Sequence, residues 1–193
     1  MSNQPSARST LRAGEYAPAF ILCGDQDARV TSASLLKHGP LVMLFYRGSW
    51  CPHCLAELAA VESVLPALRA TGARVIVVSP EIHPARTGRQ LEMLSDPHNR
   101  VAGLFGLTYA LSDDATASYI QAGKDLALIN GDDSWTLPLV ARFVIAPDRM
   151  VLYSQVHADH TVRADPANVL PVLNAYRQRL APDAGGRTSR STE

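Results

Sequence analysis

The stretch "LVMLFYRGSWCPHCLAEL", residues 41–58, carries two structural periods in succession, and its reading decides the fold. "LVMLFY" (41–46) follows Gly39 and Pro40 and is apolar almost without interruption, as expected of a strand covered on both faces. After "RGSW" the period changes. From Cys51 onward the apolar positions Cys54, Leu58, Val61, Leu65 and Leu68 recur at spacings of three and four, which predicts a helix with Glu57, Glu62 and Arg69 on its other faces. Pro52 suits the first helical turn, where its missing N–H is not needed. Pro66 should kink the last turns before Gly72 ends the helix.

Working outward, "RVIVVS" (74–79) completes a strand–helix–strand unit, for which parallel pairing and a right-handed crossover are expected. A short strand near Leu91–Leu94 leads into "SDPHNRVAGLFGL", where Asp96 can cap a helix with Pro97 at its first position. Residues 113–122 carry a weaker helical pattern. Beyond the loop "NGDDSWTLPL", the β-rich runs "ARFVIA" (141–146) and "MVLYSQV" (150–156) flank "PDR" and read as an antiparallel hairpin. A final helix is expected from about residue 168 to 180. Parallel strands first, a hairpin last and helices between them predict an α/β fold: a mixed central sheet of the thioredoxin type with helices on both faces. Residues 1–12 and 181–193 are polar and read as disordered tails around one domain at 13–180.

At 193 residues the chain suits a single domain. Its 18 basic and 18 acidic residues cancel and are scattered, so neither nucleic acid nor anionic lipid is an expected partner. No segment approaches the roughly 20 apolar residues of a membrane span, and the N-terminus lacks the apolar stretch of a secretory signal. A cytoplasmic location is expected. Three cysteines are too few for a secreted disulfide scaffold, and a close pair in a reducing compartment is more often catalytic or metal-binding than structural.

That pair is Cys51 and Cys54, with Pro52 and His53 between them. A strand end that opens a helix offers free N–H groups and the positive end of the helix dipole, both of which stabilise a thiolate. One helical turn also brings the two Cα atoms to roughly 5–6 Å, within the range a disulfide tolerates. His53 can add positive charge or a donor to the first thiolate. Trp50 can shield the pair and offer a docking surface. The plain reading of Arg47 and Glu57 is an ion pair near the helix start. A structural zinc needs four N or S ligands; Cys23 and the scattered histidines would have to complete the set, and no cofactor or metal is expected. Cys23, in "FILCGD", reads as a small apolar residue at a strand end. "HADH" (157–160) reads as a solvated loop, because on a strand His157 and His160 would face opposite sides.

Across about residues 14–180 the chain resembles the peroxiredoxin-like branch of the alkyl hydroperoxide reductase and thiol-specific antioxidant family. The motifs that carry the likeness are "GEYAPAFIL", "GPLVMLFYRGSWCPHCLAEL", "RVIVVSP", "LSDPHNRVAGLFGL", "LPLVARFVIAPDRMV" and "DHTVRADPANVLPVL". The resemblance implies a thiol-dependent peroxidase acting on hydrogen peroxide or organic hydroperoxides. It places the peroxide-reacting cysteine at Cys54, supported by Glu57 three residues later. Cys51 stands where the wider family has threonine. The family's arginine falls on Val140, leaving Arg142 or Arg47 to take its place. On this reading Cys54 forms a sulfenic acid, Cys51 condenses with it, and a thioredoxin-like protein or small thiol reopens the disulfide. Relatives with this fold often form homodimers. Two other readings stand beside it. One is a thiol–disulfide oxidoreductase with Cys51 as nucleophile, as the tetrapeptide "CPHC" suggests, and the other is a redox-silent interaction domain.

Overall fold

The strand expected at residues 41–46 runs from Leu41 to Phe45 and is buried at every position. It is a middle strand of a seven-stranded sheet in a computed structural model that describes residues 9–84, 90–162 and 164–180. In chain order the elements are β1 (Ile21–Cys23), β2 (Arg29–Thr31), α1 (Ser32–Leu36), β3 (Leu41–Phe45), α2 (Pro52–Ala70), β4 (Arg74–Ser79) and β5 (Glu92–Ser95). They continue with α3 (Arg100–Leu104), β6 (Thr108–Ala110), α4 (Asp113–Gln121), α5 (Leu126–Asn130), β7 (Thr136–Pro138), β8 (Val140–Ile145), β9 (Val151–His157) and α6 (Leu170–Leu180).

The sheet order is β2-β1-β5-β4-β3-β8-β9, and β6 pairs with β7 in a separate two-stranded ribbon. β3 pairs in parallel with β4 and antiparallel with β8, so the sheet is mixed as expected. Alternation along β3 divides the core. Leu41, Met43 and Phe45 join the layer that holds Leu35, Leu36, Val101 and Phe105 from α1, α3 and the residue after it. Val42 and Leu44 join the layer that holds Cys54, Leu58, Val61, Leu65 and Leu68 of α2 and Leu173 of α6. Helices therefore cover both faces. The five apolar positions read from the α2 pattern are all buried.

α2 runs through Pro66 to Ala70, and Gly72, at φ 84°, follows in the left-handed region that stops it, as expected. Several local expectations change. Glu57, placed by the sequence on an outer face, is buried with α2's apolar residues because it has a buried cationic partner, described below. "SDPHNR" opens only a single 3-10 turn at Pro97–Asn99, with Asp96 before it. Left-handed backbone at His98 and Asn99 breaks it, and the Asp96 carboxylate instead accepts from the N–H groups of Val101 and Ala102, capping α3 one turn later. Strand β2, helices α1 and α5, and the β6–β7 ribbon are too short to show a period in the sequence.

Thr10 donates to the Gly106 carbonyl and Leu11 N–H to the Phe105 carbonyl, so the chain is held before the boundary expected at residue 13. Of the tails expected at residues 1–12 and 181–193, residues 1–8 and 181–193 lie outside the described residues. Among the described residues, no helix is long and apolar enough to cross a membrane.

Burial raises the Asp96 carboxyl to about pKa 6, despite its backbone donors. The unfolded chain thus releases this proton near pH 4 while the folded protein keeps it to about pH 6, so this contribution is complete below pH 4 and is lost as pH rises through 6. Two pKa units correspond to about 3 kcal/mol. Asp96→Asn does not titrate. Urea unfolding at pH 4 and pH 7.5 should show the wild type losing about 3 kcal/mol relative to D96N between the two; a constant difference would contradict the assignment.

Candidate active site

The chain leaves β3 at Phe45 and reaches the first turn of α2 at Pro52, and the intervening residues are locked in place. Glu81, buried just beyond β4, accepts from the Ser49 N–H at 2.9 Å, the Ser49 hydroxyl at 2.6 Å and the Ser79 hydroxyl at 3.2 Å. Gly48 has φ 147°, and a Cβ there would collide with the Trp50 indole nitrogen, so glycine is needed both for the turn and for the ring above it. Cys51 then takes extended backbone at the N-cap of α2, its N–H donating to the Gly48 carbonyl and its own carbonyl accepting from Leu55.

Both cysteines of the pair are 2% exposed and are free thiols. They are polarised in opposite senses. Cys51 falls to about pKa 6, chiefly because the Cys54 S–H donates to its sulfur; the N–H groups of Cys54 and His53 and the Arg47 charge add to this, against the opposing effect of burial. The first-turn N–H groups act on the sulfur without completing a side-chain cap. Cys54 is pushed up by that same hydrogen bond and by deeper burial. The pair thus carries one proton at neutral pH, held on Cys54, with the negative charge on Cys51.

Arg47 is 2% exposed and supplies the local positive charge. Its guanidinium lies 5.2 Å from the centre of the Trp50 ring and 5.6 Å from that of Tyr119, and it donates to the Tyr119 hydroxyl. Trp50 and Tyr119 meet edge to face at 5.3 Å. Tyr109 on β6 belongs to the same cluster, since its hydroxyl feels the charges of Arg47, Tyr119 and both cysteines. The exposed His53 ring meets His160 edge to face at 5.6 Å. Burial and the Arg47 charge lower the His160 pKa.

The expected Arg47–Glu57 ion pair is not formed. Glu57, one turn after Cys54, pairs instead with Arg142 of β8, and both are buried. Arg142 also donates to the carbonyl of Asp165 at 3.1 Å. The reason is register: β8 runs beside β3, and Arg142 lies directly opposite Leu44, whose side chain is in the core layer under α2. A guanidinium therefore reaches the helix two residues after Val140, the position the resemblance indicated. Pro52, His53, Cys51 and Cys54 share one helix start, with Trp50 and Arg47 against it. Cys23 is remote. It ends β1, three strand spacings or about 14 Å from β3.

Tyr109, Tyr119, His160 and Glu81 were not singled out as site residues from the sequence. Only their types could have flagged them, because their elements are short or irregular and meet the helix start through tertiary folding alone. His160 was read as part of a solvated loop, but it lies against the ring of His53.

Alkylation measured against pH should show Cys51 reacting with a midpoint near pH 6. Cys54→Ala, which removes the S–H donor, and Arg47→Met, which removes the cation, should each move that midpoint up toward the ordinary thiol value of about 8.5. An unchanged midpoint in C54A would contradict the shared proton.

Comparison with known structures finds the same fold in several proteins. The peroxidoxin BcpB from Mycobacterium tuberculosis aligns over 89% of this chain and 99% of its own, with a TM-score of 0.63 and 19% identity. Reduced Prx3 from Vibrio vulnificus, in complex with hydrogen peroxide, aligns over 86% of this chain and 98% of its own, with a TM-score of 0.64 and 13% identity. The yeast mitochondrial 1-Cys peroxiredoxin, resolved via glutathione and thioredoxin systems, aligns over 93% of this chain and 85% of its own, with a TM-score of 0.62 and 15% identity. At such identities the likeness is one of fold. A comparison with curated protein sequences finds no match. The AhpC/TSA family matches residues 13–154, which span β1 to most of β9 and include the cysteine pair. On that match the chain belongs to the AhpC/TSA family, an oxidoreductase family of thiol-dependent peroxidases.

Proposed function

We propose that the protein reduces hydrogen peroxide or an organic hydroperoxide through Cys51 and Cys54 as a single redox pair. The observation that carries this reading is the polarised dithiol: a thiolate near pKa 6 beside a protonated partner, with both residues 2% exposed. Such burial admits a small peroxide far more readily than the disulfide of a folded protein.

The alignment assigned first attack to Cys54, but the resting proton distribution supports Cys51. Its thiolate attacks the terminal peroxide oxygen, an S–O bond forms as the O–O bond breaks, and sulfur gives up two electrons. The departing alkoxide or hydroxide develops its charge near Arg47 and takes the Cys54 proton. Cys54, now a thiolate, attacks the Cys51 sulfenic acid and expels hydroxide, which takes a proton from solvent. Overall, two thiols and a hydroperoxide become a disulfide, an alcohol or water, and a further water. His53 and His160 line the exposed side of the helix start. Trp50 covers the pair.

A thioredoxin-like protein or a small thiol then reopens the disulfide. Resolution via glutathione and thioredoxin systems in the yeast relative of the same fold supports that choice. Both cysteines lie on one chain, so the chemistry does not require the homodimer that relatives suggest. A second reading, thiol–disulfide exchange with Cys51 as nucleophile, draws on the same low pKa, but it needs the helix start to open for a bulky substrate. The polarised pair argues against a redox-silent domain.

Rapid mixing with hydrogen peroxide separates these assignments. Cys54→Ser should still form one sulfenic acid, on Cys51, but should lose turnover. Cys51→Ser should react more slowly, because burial still disfavours the thiolate of the one thiol that remains. Full reactivity in C51S would return the attack to Cys54, and peroxide consumption unaffected by either change would end the peroxidase reading.

A further inference from the structure

Next to the Glu57–Arg142 pair, away from the cysteines, a small cavity opens between α2, β8, β9 and the segment that follows β9. Three buried polar atoms from residues lining it have no protein partner: the second carboxylate oxygen of Glu57, Oε2; the Nε–H of Arg142; and Nε2 of His157. They come from three different elements. Register brings the last two together, since Arg142 lies opposite Gln155 and Val140 opposite His157, and these residues all line the cavity. Glu57 and Arg142 are 5% and 4% exposed, so neither atom can be satisfied by bulk solvent.

The three atoms make a matched set. A carboxylate oxygen accepts, a guanidinium N–H donates, and an imidazole nitrogen does either, depending on its tautomer. A water molecule accepts one hydrogen bond from Arg142 and donates two, to Glu57 and to His157. The cavity has room for about one. Left unpaired, each buried group would cost about 1–3 kcal/mol. Arg142 is otherwise held by the carbonyls of Asp165 and Ala164 and by Glu57, so its Nε–H is free for this role.

We propose that this cavity is a built water site, and that through the bound water His157 positions the Glu57–Arg142 pair behind the cysteine helix. His157 ends β9 where the strand reaches the surface, so the bridge ties that edge of the sheet to the buried ion pair. The water site follows from the three atoms and the cavity alone. Its kinetic consequence rests on the peroxidase reading.

Two measurements test it. A crystal structure of the reduced protein should show one water within about 3.2 Å of Glu57 Oε2, Arg142 Nε and His157 Nε2; a dry cavity, or a His157 ring bonded elsewhere, would overturn the site. In peroxide reduction, His157→Leu should lower the rate constant about tenfold, the equivalent of leaving one buried group unpaired. His157→Gln, which keeps a polar end, should restore most of it. Equal losses in H157L and H157Q would overturn the water bridge in favour of simple packing, and wild-type rates in H157L would overturn the positioning role. If the wild type itself reduces no peroxide, the peroxidase reading fails, and the crystal structure alone then decides the water site.

Discussion

The coupling that polarises Cys51 and Cys54 in opposite senses is the interaction on which the site depends, and it exists because the chain passes from strand to helix within six residues. A cysteine at the N-cap and another one turn into the helix are held at thiol–thiol distance by backbone geometry alone. Holding that turn requires a glycine under Trp50 and a buried carboxylate, Glu81, gripping Ser49. Those supports rest in turn on β3 and β4, whose parallel pairing at the centre of the sheet is covered on both faces. The result is a pair of identical side chains with different chemistry: the Arg47 charge acts on both, but one also receives its partner's S–H and two first-turn N–H groups, and the other is buried more deeply and left holding the proton.

Two arginines serve this helix in different ways. Arg47 acts on the sulfurs as a charge with no carboxylate partner among the described residues, held instead by aromatic faces and the Tyr119 hydroxyl. Arg142 is neutralised by Glu57 and contributes position rather than field. Burying such a pair adds little net stability, but removing either partner alone leaves a buried charge and typically costs about 3–5 kcal/mol. The pair therefore fixes α2 against β8 behind the cysteines. This division leaves one cation acting on the sulfurs and a second, paired one fixing the helix that carries them.

Much of this was legible in the sequence where a period was long enough to read. The change from the run 41–46 to the three-and-four spacing after Cys51 located the central strand, the helix and the cysteine pair at their junction, and the hairpin around "PDR" was equally plain. What escaped was non-local. Glu57 was read as a partner of nearby Arg47 because its actual partner, Arg142, lies 85 positions away on another strand. The left-handed residues His98 and Asn99 displaced a cap that local rules placed correctly on Asp96 but one turn too early. Tyr109, Tyr119 and His160 reach the site from a three-residue strand, a short helix and a loop, none of which carries a pattern that points inward. The order of attack was also out of reach, since it depends on which sulfur keeps the shared proton.

The most direct test is to titrate the reduced protein with hydrogen peroxide under anaerobic conditions and map its thiols by mass spectrometry. One equivalent should convert the protein to a species 2 Da lighter, with an intramolecular Cys51–Cys54 disulfide and Cys23 still alkylatable. Oxidation that leaves the pair reduced, or that joins either cysteine to Cys23, would contradict the account.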